Sequence, residues 1–253
     1  MRISICTTNY NCAHALEKHL ESVYRLLEGW EFEYIVVDNK SRDRSLAILQ
    51  SWSSEHTNML VLSKRCTMGE GRQIAFGRSS GNHVMVLDTD VIYNATFRAL
   101  VAAYFQRCPE FSLQAVFCGI FPRTQWVSAG GRRSLNTNED VDLWIRIARL
   151  GTMRWYPVHT GENLKEAAAW GIGDYLSRRY SRGERILRLL RREWDLWKTR
   201  DIRRINLQAL IEANVIDLGL GKPGPWPQSR TRQTRVQHTL EFARQLKQTM
   251  RAR

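Results

Sequence analysis

The chain has 253 residues, 43% hydrophobic and 10% aromatic, with 38 Lys and Arg against 25 Asp and Glu for a net charge of +13. That length and apolar content suit one large α/β domain, or a domain of ordinary size with an appendage, and exclude a disordered chain. No run of 18 apolar residues occurs and the five cysteines form no CxxC pair, so a membrane-spanning helix, a zinc ribbon and a disulfide framework are not expected.

The opening MRISICTTNYN lacks the apolar core and cleavage site of a signal peptide, which predicts a cytoplasmic chain with reduced thiols. Strand and helix periods then alternate. Ile3 to Thr8 reads as a strand and His14 to Leu27 as a helix; Tyr34 to Val37 is a short buried strand ending at Asp38. Ser41 and Asp43 offer caps for a helix through Leu46, Ile48 and Leu49, and Met59 to Leu62 is a third strand. A helix over Arg72 to Ser79 precedes a strand from His83 to Leu87, and a further helix runs from about Ala95 to Arg107. Such an order with continuous apolar strands predicts a mostly parallel sheet covered by helices on both faces.

Beyond Ala115 the run AVFCGIF reaches Pro122, and Gly130-Gly131 marks a flexible loop. NEDVDLWIRIARLG reads as a helix with Asn138 as N-cap, acidic residues in the first turn and Gly151 as the stop. Met153 to Val158 is a last strand, delivering His159 at its end.

The charge is uneven: residues 1–163 hold 18 Lys and Arg against 16 Asp and Glu, residues 164–253 hold 20 against 9. A boundary is therefore expected near 163, followed by a basic, amphipathic helical extension with a Pro/Gly-rich loop at 221–229. Within 178–204, Ile186, Leu187, Leu190, Trp194 and Trp197 form one stripe among arginines. That stripe suits an anionic membrane surface, with the protein peripheral on its inner face, or else packing against the first domain. Nucleic acid is disfavoured, because basic and aromatic residues occur together without a nucleic-acid-binding motif.

VMVLDTDVIY poses the chemical question, since it sets Asp88 and Asp90 one residue apart at the end of a buried strand. Like charges that close repel unless a cation neutralises them. Ligands of parallel sheets bind beyond the strand carboxyl ends, where Thr8, Asp38 and Asp88 all fall. On residue type alone, Asp38 and the DTD segment also read as turn caps, Glu139-Asp140 as a dipole-favouring helix start, and Arg72 as a surface partner of Glu70. Asp142 reads as a solvated first-turn residue. The lone Gly69-Glu70-Gly71 lacks the third glycine of a dinucleotide fingerprint, and no phosphate loop is present.

The ordered set TTNYN, IVVDNKSRDRS, GRQIAFGRSSG, VLDTD, SAGG and NEDVDLWIRIARLG resembles the family 2 glycosyltransferases of GT-A fold over about residues 3 to 160. The resemblance implies an α/β GT-A domain and an inverting transfer from a UDP- or GDP-sugar to a glycan or lipid-linked acceptor. It implies that Thr8 and Tyr10 border the nucleotide, Asp38 holds the base and Arg72 lines the donor pocket. Asp88 and Asp90 would meet the ribose and a Mn²⁺ or Mg²⁺ ion, with His159 as a further metal ligand. Asp140, in the Glu139-Asp140 pair, would be the catalytic base. The chemistry agrees: such cations take oxygen ligands while bridging phosphates, and a carboxylate can deprotonate an attacking hydroxyl. Thr7 departs from the proline, and Thr89 from the small residue, common in that family. A noncatalytic GT-A scaffold binding membrane or nucleic acid through its basic end is the rival reading.

Overall fold

The computed structural model describes residues 2–164 and 207–220, with isolated positions 183, 186, 187, 190 and 199. Nine strands are described: β1 (Ile3–Asn9), β2 (Phe32–Asp38), β3 (Met59–Ser63), β4 (His83–Leu87), β5 (Val91–Tyr93), β6 (Ser112–Val116), β7 (Cys118–Pro122), β8 (Met153–His159) and β9 (Gly161–Asn163). Seven of them form one sheet in the order β3-β2-β1-β4-β7-β6-β8, while β5 and β9 pair separately. The helices are α1 (Ala13–Leu26), α2 (Ser45–Glu55), α3 (Met68–Gly77), α4 (Ala95–Arg107), α5 (Arg123–Ser128), α6 (Glu139–Arg149) and α7 (Leu207–Glu212).

Period-two alternation decides what each face of the sheet meets. Ile3 and Ile5 of β1, Tyr34 and Val36 of β2, and Met85 and Leu87 of β4 pack with Leu16 and Leu20 of α1, Leu49 of α2 and Leu100 of α4. Their neighbours Cys6, Ile35, Val37, Val84 and Val86 face the other way, onto Ala75 of α3, Trp126 of α5 and Val141 and Ile145 of α6. Helices therefore cover both faces, as the continuous apolar strands require. Each fully buried aliphatic or aromatic side chain contributes roughly 1.5–3 kcal/mol.

The apolar run AVFCGIF spans the end of β6 and most of β7, an antiparallel pair turning at Phe117. Phe117 takes a left-handed φ of 68° yet packs against the core, so the turn carries none of the Gly, Asn or Asp chemistry that marks a hairpin. β4 and β7 are also antiparallel, so the sheet is parallel on its β1–β4 side and mixed beyond. Asn138 precedes α6 but is left-handed (φ 57°) and makes no side-chain cap; Gly151, at φ 76°, does follow the last turn. Asp43 serves two helices, its Oδ1 accepting from Ser45 N at the start of α2 (3.0 Å) and its Oδ2 from Ala13 N at the start of α1 (3.0 Å), while Ser41 Oγ accepts from Asn11 N just before α1 (3.0 Å).

Part of the C-terminal region joins the sheet domain. Trp155 N donates to Asn214 O (3.1 Å), Ile216 N donates to Trp155 O (2.9 Å), and Leu218 is buried. The boundary near 163 is thus crossed by a segment that extends the β8 edge. Most of the amphipathic stretch 178–204 and the Pro/Gly-rich loop lie outside the described residues; within it Ile186, Leu187 and Leu190 are exposed. No helix among the described residues is long and apolar enough to cross a membrane. None of the five cysteines is in a disulfide.

Candidate active site

The strand order reverses direction of growth at β1, which lies between β2 and β4. A crevice forms at the carboxyl ends of strands flanking such a point. The β1–β4 register runs from Ile3↔His83 to Ile5↔Met85 and then stops, although β1 continues to Asn9. Beyond it, the Thr7 Oγ1 hydroxyl donates to Leu87 O at 2.6 Å and fixes the end of β4 just before Asp88. A proline there would lack that hydroxyl.

Asp38 ends β2 fully buried, and its carboxylate accepts from Asn9 Nδ2 (2.9 Å), Ser41 N (2.9 Å) and Ser41 Oγ (2.5 Å). It therefore does cap a turn, and in doing so it ties β1 to β2 at the crevice. Thr8 is half-buried, and its methyl meets α3 so closely that a Cβ on Gly71 would overlap it. Gly69 has a similar reason: a Cβ there would strike the Arg133 carbonyl. The two glycines exist to seat α3 against β1 and the 131–135 loop. Tyr10 is exposed beside the crevice.

Arg72 is not a surface partner of Glu70, which pairs instead with Lys64 at 3.4 Å. Its side chain is 7% exposed, and it reaches from α3 in two directions. Nη2 donates to Asp88 Oδ1 at 2.7 Å, and Nη1 meets Glu139 Oε1 at the start of α6. Arg132 Nη1 lies 3.0 Å from that same oxygen, its side chain 1% exposed. Burial works against the Arg72 charge, but Glu139, Asp88 and Asp140 outweigh it and raise its pKa. Arg132 is pulled down to about 10 by burial and by Arg72 beside it. Burial, then Asp140, push Glu139 above the usual carboxylate range, against the pull of the two guanidiniums. Those guanidiniums favour its charged form.

Glu139 thus lies enclosed in ion pairs, whereas Asp140 is partly exposed and sits in the first turn of α6, where the helix dipole favours negative charge. Asp142 is no solvated residue: it is fully buried between Arg146 Nη2 (2.6 Å) and Arg133 Nη1 (3.1 Å). The Gly130-Gly131 loop is likewise held rather than loose. Gln73 Oε1 accepts from Arg132 N (2.8 Å) and Trp126 Nε1 (3.1 Å), and Arg146 donates to Ala129 O.

The DTD segment is positioned from behind. Tyr93 Oη accepts from Asp88 N (3.2 Å) and donates to Phe117 O (2.8 Å), and the Asp90 carbonyl accepts from Leu164 N (3.0 Å). His19, fully buried on α1, donates from Nδ1 to Val91 O (2.8 Å) and accepts at Nε2 from Tyr34 Oη (2.8 Å). Burial lowers its pKa to about 4, so it stays neutral. Sequence reasoning missed Tyr93, His19, Gln73 and Arg132, whose roles depend on contacts far apart in the chain.

The donor set suits a hard divalent cation: Asp88, its side chain 43% exposed, and the partly exposed Asp90 supply carboxylate oxygens at the crevice. His159 is exposed at the end of β8, its ring against Phe117 (6.1 Å between centroids). No group of three or more His, Cys, Asp or Glu side chains converges as a metal-binding set among the described residues, so His159 is not gathered to the aspartates.

A mostly parallel sheet covered by helices on both faces is the architecture of a GT-A domain, and solved structures share that fold. Mannosyltransferase PcManGT from Pyrobaculum calidifontis, in complex with GDP-Man and Mn²⁺, superposes with a TM-score of 0.59 at 17% identity, covering 81% of this chain and 65% of that one. TarS from S. aureus in complex with UDP-GlcNAc gives 0.54 at 17% identity, covering 64% and 57%. The poly(ribitol-phosphate) beta-glucosyltransferase of Bacillus spizizenii is 30% identical over 94 residues, which are 36% of this chain and 15% of that protein's length. The family profile of glycosyl transferase family 2 matches residues 4–160, and the chain belongs to that family.

Proposed function

We propose that the protein transfers a sugar from a nucleoside-diphosphate donor to an acceptor hydroxyl, with inversion at the anomeric carbon and with a divalent cation bound. The observation that carries this reading is the bridge Asp88–Arg72–Glu139, which sets the two aspartates of the crevice beside the helix start bearing Asp140. The nucleotide-sugar complexes of two proteins with this fold, one with Mn²⁺, support it.

In this reading Thr8, Tyr10 and Asp38 line the nucleoside end. Asp88 and Asp90 would hold Mn²⁺ or Mg²⁺, which when bound neutralises the departing diphosphate. Arg72 offers its guanidinium to the same phosphates from a buried position. Asp140, the accessible member of its pair, accepts the proton of the acceptor hydroxyl as that hydroxyl attacks the face opposite the leaving group. Glu139 orients arginines rather than removing a proton. An acceptor hydroxyl on a glycan or lipid-linked glycan suits a carboxylate base better than a lipid phosphate, which is already ionised near neutral pH. The exposed Ile186, Leu187 and Leu190 support an amphipathic stretch meeting an anionic membrane surface.

Calorimetric titration with UDP and with GDP, with and without Mn²⁺, tests the reading on the native chain and on Asp90→Asn. Metal-dependent binding of one nucleotide that disappears in the variant is the expected result. If neither nucleotide binds under any metal condition, the rival scaffold reading takes its place, and binding to anionic vesicles becomes the activity to measure.

A further inference from the structure

Arg132 has no part in the roles above, yet it is the most deeply buried cation at the site, its side chain 1% exposed. Its place is over-determined. The backbone N–H is held by Gln73 Oε1 (2.8 Å), the guanidinium lies over the Trp126 ring (5.4 Å to the centroid), and Nη1 reaches Glu139 Oε1 (3.0 Å). That oxygen is the one Arg72 Nη1 also contacts. Two buried guanidiniums therefore share one acceptor atom, and only Arg72 has a second arm on the crevice, at Asp88.

Sharing has a mechanical consequence. A carboxylate oxygen divided between two cations holds each less tightly than it would hold one alone, and the two like charges repel at close range in a poorly screened interior. Arg132 is fixed from three sides, so the repulsion acts on the partner that can move. We propose that Arg132 is a positioning residue for the donor diphosphate: it keeps Glu139 from drawing Arg72 inward, so that the Arg72 guanidinium stays extended to the Asp88 end of the crevice. The proposal rests on the glycosyltransferase reading and adds to it a residue outside the family's motif pattern. Without Arg132, Glu139 has Arg72 as its single cation, and Arg72 retracts from the phosphates.

The test is a double-mutant cycle read by nucleotide affinity and donor kinetics. Arg132→Met is expected to weaken binding of the nucleoside diphosphate that the native chain prefers, with Mn²⁺ present, by about 10-fold. Donor KM should rise by the same factor while kcat changes by less than about 3-fold, the pattern of a lost binding interaction. Arg132→Lys keeps the charge and should recover most of the affinity, to within about 3-fold of native. In an Arg72→Met background, Arg132→Met should cause no further loss, because its effect passes through Arg72. Arg98→Met, which removes hydrogen bonds to Leu26 O and Glu28 O at the C-terminal end of α1, serves as a control for general damage and should leave affinity unchanged.

Should Arg132→Met not fold, Arg132→Lys carries the cycle, its smaller loss again vanishing beside Arg72→Met. Native-like affinity in a folded Arg132→Met, or losses that add in the double variant, would overturn the proposal while leaving the transferase reading intact. A native chain that binds no nucleoside diphosphate overturns both.

Discussion

Two carboxylate pairs serve this site, and their surroundings divide the labour between them. Asp88 and Asp90 flank a turn at the end of β4, both partly exposed, with Arg72 on Asp88. Glu139 and Asp140 are adjacent on one helix turn, yet the first is enclosed by two arginines and the second is partly exposed. Residue type alone would make four equivalent acids of them. Burial and partners instead leave three of them partly exposed and one enclosed, which in the proposed reading are the cation-binding pair, the base and a structural anion.

Breaking the second pair one member at a time should separate those roles most sharply. Asp140→Asn removes a proton acceptor and little else: kcat is expected to fall by about 10²–10⁴-fold, with unfolding free energy unchanged within about 0.5 kcal/mol. Glu139→Gln should do the reverse in kind. It leaves Arg72 and Arg132 buried around a neutral amide, and denaturant unfolding should show a loss of roughly 3–5 kcal/mol, as for other broken buried ion pairs. Equal loss of stability in both variants would mean that the two acids are not divided in this way.

The same contrast explains what could be read from residues alone. On the β1–β4 side, local patterns carry the information: apolar strands of four to six residues, capping residues after them, and aspartates at carboxyl ends. Ala95 to Arg107 falls on the observed helix. On the β6–β8 side the decisive events are tertiary. A hairpin turns at Phe117 with no turn residue, because packing against the core sustains its left-handed backbone. Asp142 looks like a helix-start acid until Arg146, one turn on, and Arg133, from the preceding loop, close over it. Asp88 and Asp90 are site candidates from their place at a strand end and Asp140 from the family resemblance, whereas Arg132 follows a Gly-Gly pair like any loop arginine. Its partner Glu139 is seven residues on, but Gln73 and Trp126 come from other helices.

The support behind the DTD segment can be probed by pH. His19 is neutral when folded, with a pKa near 4 against an ordinary 6.5. Between those values the unfolded chain binds the extra proton and the folded chain does not, so stability falls as pH drops from about 6.5 to 4 and is intact above. The contribution is on the order of 3 kcal/mol across that window. His19→Gln should flatten this part of the stability–pH curve, measured by denaturant unfolding at each pH. An unchanged slope would assign the acid sensitivity to other groups.

The smallest effect expected is at Thr7, and it bears on why β1 and β4 can part without loosening the site. Their ladder ends at Ile5↔Met85, and the next link between them is a side chain, the Thr7 hydroxyl on Leu87 O (2.6 Å). Thr7→Val keeps the shape and removes one buried hydrogen bond, a loss of about 1 kcal/mol. The Tyr93 hydroxyl still holds Asp88 N and Phe117 O from the opposite side, so the turn remains anchored. Nucleotide affinity should therefore change by less than about 3-fold in Thr7→Val, but fall well beyond the product of the single effects in Thr7→Val with Tyr93→Phe, since neighbours in one network are not additive. Additive losses would mean that each hydroxyl steadies the segment independently, and that the crevice end of β4 is held by its ladder with β7 rather than by this pair.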